Sequence, residues 1–506
     1  MKKESLIIAV LGVLIGAGLV ITFQKISGSH GKIDAEYGNW RKLNLILGSI
    51  EKNYVDEVDY KKISDAATVA ALSALDPHSV YMPPADLEES ETDLAGQFEG
   101  IGIQFNVPND TATIIEVIPG GPSEKIGLLP GDRIIKVDAT VIAGVRFNQD
   151  SIVRRIKGPA GTKVLITVKR NSEIIPFEIT RGKIPTHSVD AAFMVNDTTG
   201  YIRLSKFSRT TAQEFVTAGA ELLENGMKHM ILDLRDNSGG FFDQAITLAN
   251  LFLPKDAEIV YIQGRNRARE DFKSNGKGFL QDIRLSVLID DGSASSSEIL
   301  SGAIQDNGRG RIIGRRSFGK GLVQEPIYFT DGSGVRLTVA RFYTPSGRCI
   351  QKPYGEDYQY ETFLRYKTRE LTDADSMKIE NGGIIPDIFV PIDTTKVGQF
   401  YINCNKKATT MRFASAWFDT HKNELSSIDN YEKLFNYLGN AQLERKFLDF
   451  AKRKDNLYPK DGEWEVEKQY MMTQIRALVG RYSKLGDNAF YHLYLEIDET
   501  FATAMR

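Results

Sequence analysis

The sequence LSVLIDDGSASSSEIL, residues 285–300, contains the change of pattern that decides the fold. Residues 285–290 form a short run rich in branched apolar side chains, which predicts a buried strand. Asp291-Gly292 then favours a turn, and the residues that follow predict a helix over about 296–305. A strand that passes through a small-residue turn into a helix is the building unit of an α/β layer.

The same order occurs earlier in the chain. A strand is predicted at 230–234 and a helix near 243–252, and the sequence DLRDNSGG joins them at 233–240. Paired glycines allow a backbone to approach a ligand closely, although Asp, Asn and Ser in this order also suit a plain turn. We therefore predict an α/β domain over residues 184–393.

The flanking residues predict further domains. Short strand patterns at 113–118, 133–137, 163–168 and 174–179, with short helices at 122–126 and 148–156, predict a compact β-rich domain at 97–183. Apolar residues at helical spacing predict a small helical region at 31–95, with one helix at 60–75. Residues 394–506 are charged and helical in pattern, and no motif assigns them a role. The predicted fold class is multidomain α/β, with a helical region, a β-rich domain with two helices, an α/β core and a helical C-terminal extension.

Length and composition agree with several ordinary globular domains. The 506 residues exceed the usual size of one hydrophobic core, and 42% of them are hydrophobic. A formal net charge of -3 does not favour binding to nucleic acid. The two cysteines, Cys349 and Cys404, exclude a disulfide scaffold and a cysteine-rich zinc site, while one disulfide stays possible.

The N-terminus predicts a membrane segment over residues 1–25. Lys2 and Lys3 precede a run of 18 uncharged residues from Leu6 to Phe23, which is about the length needed to span a bilayer. Bulky residues follow the run, so an uncleaved signal anchor is favoured over a cleaved signal peptide. By the positive-inside tendency, the rest of the chain is expected outside the cytoplasm.

The serine-rich turn is the first candidate for chemistry. A nucleophile at the start of a helix would have backbone N–H groups close by to stabilise an oxyanion, but a serine-rich N-cap explains the same residues. Composition does not choose among the four serines of residues 293–297. A serine needs a base, and no histidine lies near this segment in sequence. Lys320, flanked by Gly319 and Gly321, would act as a base if a pocket lowered its pKa; the alternative is an exposed loop lysine.

Two short patterns around Lys320 are typical of other classes of enzyme. Residues 314–320 match G-x-x-x-x-G-K, but Gly321 stands where a phosphate loop needs Ser or Thr to hold magnesium, so an ATPase is disfavoured. Residues 317–320 match the S-x-x-K of penicillin-recognising enzymes, but no convincing companion motif is present.

In the β-rich domain, residues 99–103 offer backbone N–H groups framed by small residues. Such a loop is suited to binding the carboxylate of a peptide.

Taken together, five segments resemble the carboxyl-terminal processing peptidases, or tail-specific proteases, a serine–lysine family with an inserted PDZ domain. They are LDPHSVY (75–81), FEGIGI (98–103), GLLPGDRIIKV (127–137), GSASSSE (292–298) and SFGKGLVQ (317–324). The resemblance covers roughly residues 40–393 and keeps the order of the family's motifs. It implies that residues 97–183 are a PDZ domain and residues 184–393 a serine-peptidase core.

The resemblance also assigns roles to residues. In the family the nucleophile lies three residues before a glutamate and 25 before a lysine, and both spacings select Ser295 as nucleophile with Lys320 as its base. Gln324 matches the glutamine that orients the lysine. The backbone N–H groups of Gly240 and Ser296 are implied as oxyanion donors. Gly239 is an alternative to Gly240, and many relatives have alanine at the position of Ser296.

The implied function is an envelope serine endopeptidase on the periplasmic face of the inner membrane. Its PDZ domain, through Ile101, Gly102 and Ile103, would capture the C-terminal tail of a substrate protein, and tail binding would realign the catalytic residues. No metal or organic cofactor is implied. Expected partners are protein substrates, the membrane, a homodimer or larger homo-oligomer, and an adaptor protein. The alternatives are a PDZ scaffold or chaperone on a degenerate protease fold, and a hydrolase of small amides or esters.

Overall fold

The structure is a computed structural model. It describes residues 41–107, 110–118, 120–354, 382–393 and 395–506. The predicted membrane segment at residues 1–25 lies outside these ranges. Among the helices of the described ranges, none is both long enough and apolar enough to cross a membrane. The chain divides into two compact units, Met1–Leu75 and Asp76–Arg506.

The described part of the first unit is helical. It contains helix α1 (41–53) and helix α2 (Tyr60–Ser73). Helix α2 begins where the Asp59 carboxylate accepts a hydrogen bond from the Lys62 N–H at 3.0 Å, which satisfies one of the free donors of the first turn. This helix matches the one predicted at 60–75.

The larger unit begins with short elements. These are strand β1 (Val80–Met82), helix α3 (Pro84–Leu94) and strand β2 (Gln97–Gly100). The region predicted as helical at 31–95 therefore also contains a strand. Three residues are too few to show an alternating pattern, and β1 is held by pairing with a distant strand at residues 334–336.

A β-rich domain follows. Its elements are β3 (Ile103–Asn106), β4 (Ala112–Val117), α4 (Pro122–Lys125), β5 (Arg133–Val137), β6 (Thr140–Val141), α5 (Gln149–Ile156), β7 (Lys163–Arg170), β8 (Glu173–Thr180) and β9 (Gly182–Pro185). The antiparallel sheet has the order β3-β4-β5-β7-β8, with β6 on β5. Strands β2 and β9 pair with each other where the chain enters and leaves the domain. Each strand and helix predicted here lies within two residues of an observed one.

The α/β core contains most of the remaining strands. Its elements are β10 (Val189–Met194), β11 (Thr199–Leu204), α6 (Thr211–Glu224), β12 (His229–Asp233), α7 (Phe242–Phe252), β13 (Glu258–Gly264), β14 (Arg267–Lys273), β15 (Arg284–Ile289), α8 (Ser296–Asp306), β16 (Arg311–Gly314), β17 (Leu322–Tyr328), β18 (Gly334–Tyr343) and β19 (Ile388–Phe389). One sheet has the order β10-β11-β12-β15-β16-β19 and is parallel from β11 onward. Because neighbouring parallel strands end at the same edge, the turns after β12 and β15 meet there.

A second sheet was not anticipated from the sequence. It is antiparallel, with the order β1-β18-β13-β14 and with β17 paired to β18. Strand β17 carries Gln324, and β18 pairs with β1 immediately after Asp76-Pro77-His78-Ser79. This sheet therefore brings the earliest motif of the larger unit next to the residues that follow Lys320.

The C-terminal extension is helical, as predicted for residues 394–506. Its helices are α9 (Gln399–Lys406), α10 (Thr409–Leu425), α11 (Tyr431–Asn440), α12 (Leu443–Asp455), α13 (Glu463–Gly480), α14 (Gly486–Tyr494) and α15 (Glu499–Ala504). On one side Asp419 pairs with Arg133 of the β-rich domain, and Lys422 donates to the Pro130 carbonyl. On the other side Phe501 packs in an apolar cluster with residues of β10 to β19.

A buried ion pair joins this extension to the strand end of the core. Asp498 Oδ2 lies 2.6 Å from Arg235 Nη1, and the two side chains are only 10% and 15% exposed. Arg235 follows β12 directly and also binds Asp233. This ion pair therefore links the start of the turn that leads to Gly239 and Gly240 to the N-terminus of helix α15.

Exchange of Asp498 for asparagine tests this link. Asparagine retains the cap on Phe501 N–H that Asp498 provides, so the change removes the charge and little else. We expect Asp498→Asn to lower the free energy of unfolding by about 1–3 kcal/mol, because Arg235 loses one of its two carboxylate partners and keeps the other, Asp233. Urea denaturation measures the loss. The control is Glu499→Gln, which breaks the solvent-exposed pair with Lys396 and is expected to change stability far less. Equal effects of the two variants would contradict the assignment.

Candidate active site

Ser295 lies at the turn between β15 and α8. Its backbone has φ 53° and ψ -111°, an uncommon conformation for a residue with a side chain. Helix α8 begins at Ser296, so Ser295 occupies the N-cap position, and its side chain is half-buried. Of the other three serines in the turn, Ser293 and Ser297 are fully buried and Ser296 is 1% exposed, and all three hydroxyl groups donate to backbone carbonyls. Their hydroxyl groups are structural, which leaves Ser295 as the accessible one.

The Glu298 carboxylate connects the serine turn to the lysine loop. It is fully buried and accepts hydrogen bonds from the backbone N–H groups of Ser295 at 2.8 Å, Gly319 at 2.7 Å and Lys320 at 2.9 Å. The hydroxyl of Ser317 is a fourth donor. Burial raises the pKa of Glu298, while these donors oppose the shift. One side chain therefore sets the positions of both Ser295 and Lys320.

Replacing Glu298 with glutamine should separate these loops. In one amide orientation the NH₂ group faces the Gly319 N–H, and in the other it faces the N–H groups of Ser295 and Lys320, so donors are left unpaired in both. We expect Glu298→Gln to reduce the free energy of unfolding by about 2–4 kcal/mol, measured by urea denaturation. Glu224→Gln, at an exposed site on α6, is the control. A Glu298→Gln protein as stable as the parent would show that the carboxylate does not hold the loops.

Lys320 lies in a setting that favours its neutral form. Burial lowers the pKa of the Lys320 amine, and the positive charge of Arg336 lowers it further, while Glu298 and Asp76 oppose the shift. Among the described residues no hydrogen bond or ion pair involves its Nζ, and none joins it to Ser295 Oγ. Lys320 is half-buried, which does not fit the alternative of an exposed loop lysine. Ser295 and Lys320 come from adjacent loops and are not yet bonded to each other.

Gln324 contacts the motif at residues 75–81. Its Nε2 donates to the His78 carbonyl oxygen at 2.5 Å. His78 is held in a turn by Asp76, whose Oδ1 accepts from the His78 and Ser79 N–H groups at 2.8 and 2.7 Å. Burial lowers the pKa of His78, and the nearby charge of Lys320 lowers it further. His78 is far from Lys320 in the sequence, and folding brings the two side chains close enough for their charges to interact.

The turn after β12 lies against Ser295. Gly239 has φ 97°, and a Cβ there would approach Ser295 Cβ to 2.8 Å, so a side chain at this position is excluded by space as well as by conformation. The Gly239 N–H donates to Asn237 Oδ1 at 2.9 Å. By contrast, the N–H groups of Gly240 and Ser296 donate no hydrogen bond to any described residue. These two N–H groups are available to a ligand, whereas the Gly239 N–H is not.

Ile101, Gly102 and Ile103 lie at the start of β3 and are all buried. The Ile101 and Gly102 carbonyls accept from Ser123 N–H and Ile118 N–H, both at 3.0 Å, which fixes the loop before the strand. The three residues line a cavity of about 810 Å³ in which none of the candidate catalytic residues takes part. This cavity lies within the size range of ligand pockets.

Metal and disulfide chemistry have little support in the described part of the chain. No group of three or more His, Cys, Asp or Glu suited to a metal ion occurs in the described ranges. Cys349 and Cys404 are both free thiols, and Cys404 is buried. The disulfide left open by the sequence is therefore not formed in this structure.

Comparison with known proteins assigns the chain to a family. Residues 198–358 match peptidase family S41, and residues 100–180 match the PDZ domain. The chain is 34% identical to the carboxy-terminal processing protease CtpA of Bacillus subtilis, over 68% of this chain and 74% of that protein. It is 35% identical to a carboxy-terminal-processing protease of Bartonella bacilliformis, over 69% of this chain and 80% of that protein.

A solved structure is also similar to the chain. The photosystem II D1 C-terminal processing protease is 27% identical, with a TM-score of 0.40 and coverage of 70% of this chain and 86% of that one. The family matches and the CtpA similarity confirm the resemblance that the motifs indicated. The chain therefore belongs to peptidase family S41 and is a serine-type, carboxy-terminal processing peptidase with a PDZ domain.

Proposed function

We propose that the chain cleaves protein substrates with Ser295 as nucleophile and Lys320 as general base. Ser295 Oγ attacks the peptide carbonyl carbon while its proton passes to the neutral Lys320 amine, and the resulting ammonium then protonates the leaving amine. Water releases the acyl group from Ser295 by the same route. The observation that carries this proposal is Glu298, which fixes the backbones of Ser295 and Lys320 through one buried carboxylate.

The oxyanion of the tetrahedral intermediate would be bound by the N–H groups of Gly240 and Ser296. Their lack of partners among the described residues supports this role, because both N–H groups are free to donate to an oxyanion. Ser296 also begins helix α8, whose N-terminal dipole favours negative charge. The use of the Gly239 N–H by Asn237 argues for Gly240 as the donor.

The PDZ domain would capture the C-terminal tail of the substrate, with Ile101, Gly102 and Ile103 in the carboxylate-binding loop. Tail binding would then move the side chains of Lys320 and Gln324 into alignment with the Ser295 hydroxyl. Two observations support such gating: Lys320 Nζ is unbonded among the described residues, and Gln324 is engaged by the His78 carbonyl. Gln324 would have to leave His78 before it could orient the lysine.

The test compares substrates that end in a free carboxylate or an amide. The full chain should cut the free-tail substrate faster, and Gly102→Ala should remove that advantage, because φ at Gly102 is 77° and an added Cβ meets Ile184 at 3.1 Å. Gly144→Ala is the matched control, since Gly144 has φ 73° and open space around its Cβ position. Equal rates on both substrates, or the same loss in both variants, would argue against tail capture.

We further propose that the enzyme acts outside the cytoplasm at the cell envelope, tethered by residues 1–25. The support is the apolar run behind Lys2 and Lys3. Assembly into a homo-oligomer and recruitment of an adaptor belong to the same proposal and rest on family resemblance. Membrane fractionation of the full chain beside a version starting at residue 26 tests the tether, and the full chain alone is expected in the membrane fraction.

A further inference from the structure

The cavity of the PDZ domain has a second wall that the domain itself does not supply. Helix α3 faces the opening between strand β3 and helix α5, and its residues line the cavity together with theirs. Ile103, Phe105, Val153 and Ile156 give the PDZ side an apolar surface. A substrate tail in this cavity would therefore contact helix α3 while it pairs with the PDZ domain.

The wall formed by α3 is acidic. Among all charged residues that line the cavity, four are acidic and two are basic; they are Asp86, Glu88, Glu89, Glu99, Arg154 and Lys157. Glu89 is paired across the opening with Lys157 at 2.9 Å. Glu99 accepts a hydrogen bond from the Ala160 N–H at 2.8 Å.

The remaining charges decide what the cavity attracts. Asp86 and Glu88 are both exposed, and neither side chain has a hydrogen bond or ion pair among the described residues. Of the two basic residues of the lining, Arg154 has no salt-bridge partner in the described part of the chain. Two free carboxylates on α3 thus face the path of the tail, and a basic side chain on that tail would find partners there.

We propose that this peptidase selects substrate tails in which lysine or arginine lies directly before an apolar C-terminal residue. The apolar residue packs against Ile103 and Ile156, and the basic side chain pairs with Asp86 or Glu88 on α3. Specificity therefore comes from two elements, the PDZ pocket and a helix outside the PDZ domain. This inference rests on the proposed tail capture and extends it to the chemical class of the tail.

The experiment measures binding by the full chain carrying Ser295→Ala, so that peptides are not consumed. Fluorescently labelled peptides share an apolar end with a free carboxylate and carry two lysines, two glutamines or two glutamates directly upstream. Fluorescence anisotropy at low salt should give a Kd about three- to tenfold lower for the lysine peptide than for the glutamine peptide. The glutamate peptide should bind most weakly, and added salt should reduce all differences.

Variants of α3 locate the effect. Asp86→Asn combined with Glu88→Gln should reduce the lysine preference to less than about twofold while the glutamine peptide binds as before. Glu224→Gln, far along the chain on α6, should leave the preference intact. A preference that persists in the double variant, or tighter binding of the glutamate peptide, would overturn the proposal.

A glutamine peptide with an amidated C-terminus tests tail capture independently of the charge preference of helix α3. If it binds as well as the free acid, tail capture itself fails, and the selectivity proposal fails with it. If the free acid binds better but charge has no effect, tail capture stands and the role of α3 is wrong.

Discussion

Replacing Ser295 with alanine is expected to lower kcat for peptide-bond cleavage by about 10⁴-fold or more. The reason is chemical: the acyl-enzyme forms at Ser295 Oγ, and the three neighbouring serines cannot substitute, since the hydroxyls of Ser293, Ser296 and Ser297 are buried and donate to carbonyl groups. The measurement is the single-turnover rate on an unstructured protein substrate, with stability followed by urea denaturation.

The matched control for this change is Ser301→Ala. Ser301 lies in the same helix α8, and its hydroxyl donates to the backbone carbonyls of Ser297 at 2.7 Å and Glu298 at 3.5 Å. The control is expected to retain nearly the parental rate. If Ser295→Ala retained activity above one hundredth of the parent's, a different nucleophile would be required.

Replacing Lys320 with alanine is expected to cost about 10³-fold in kcat, because the alanine side chain has no group that can take the Ser295 proton. Lys320→Arg retains the positive charge but does not lose its proton, so it should be as inactive as the alanine variant. If arginine restored activity, the charge at this position rather than its basicity would be what matters.

The pH profile gives the same residue a second test. Lys320 is a base only when neutral, so kcat should rise with pH as the amine loses its proton, and burial and Arg336 move that rise to lower pH. Arg336→Gln removes one of these influences, so the pKa of Lys320 should increase and the rise should shift to higher pH. Arg341→Gln, on the same strand β18, should leave it in place. An unshifted profile for Arg336→Gln would contradict Lys320 as the titrating group.

The sequence predicted the elements that have a strong local pattern. Strand β5, helix α5 and the turn from β15 into α8 were all placed within a residue or two, because branched residues and capping side chains act over short distances. The antiparallel sheet of β13, β14, β17 and β18 was missed. Strands β14 and β17 are largely exposed, so they lack a clear apolar pattern, and strand β1 has only three residues.

In the candidate site, too, the features with a local sequence pattern were predicted and those that depend on distant contacts were not. The spacing of Ser295, Lys320 and Gln324 was visible in the motif, but the function of Glu298 as the acceptor between the loops depends on its burial. The contact between Gln324 and the His78 carbonyl joins residues far apart in the chain. Likewise, Asp498 reaches Arg235 only after the extension folds back on the core. Such contacts depend on tertiary packing and leave no local signal.

One experiment shows whether this chain cuts proteins with Ser295 and Lys320. The parent, Ser295→Ala and Lys320→Ala are each incubated with one unstructured protein that has an apolar free C-terminus, and fragments are identified by mass spectrometry. We expect fragments from the parent and none above background from either variant. Cleavage at the same bonds by either variant would contradict this expectation, and tail binding by all three without any cleavage would favour the scaffold alternative.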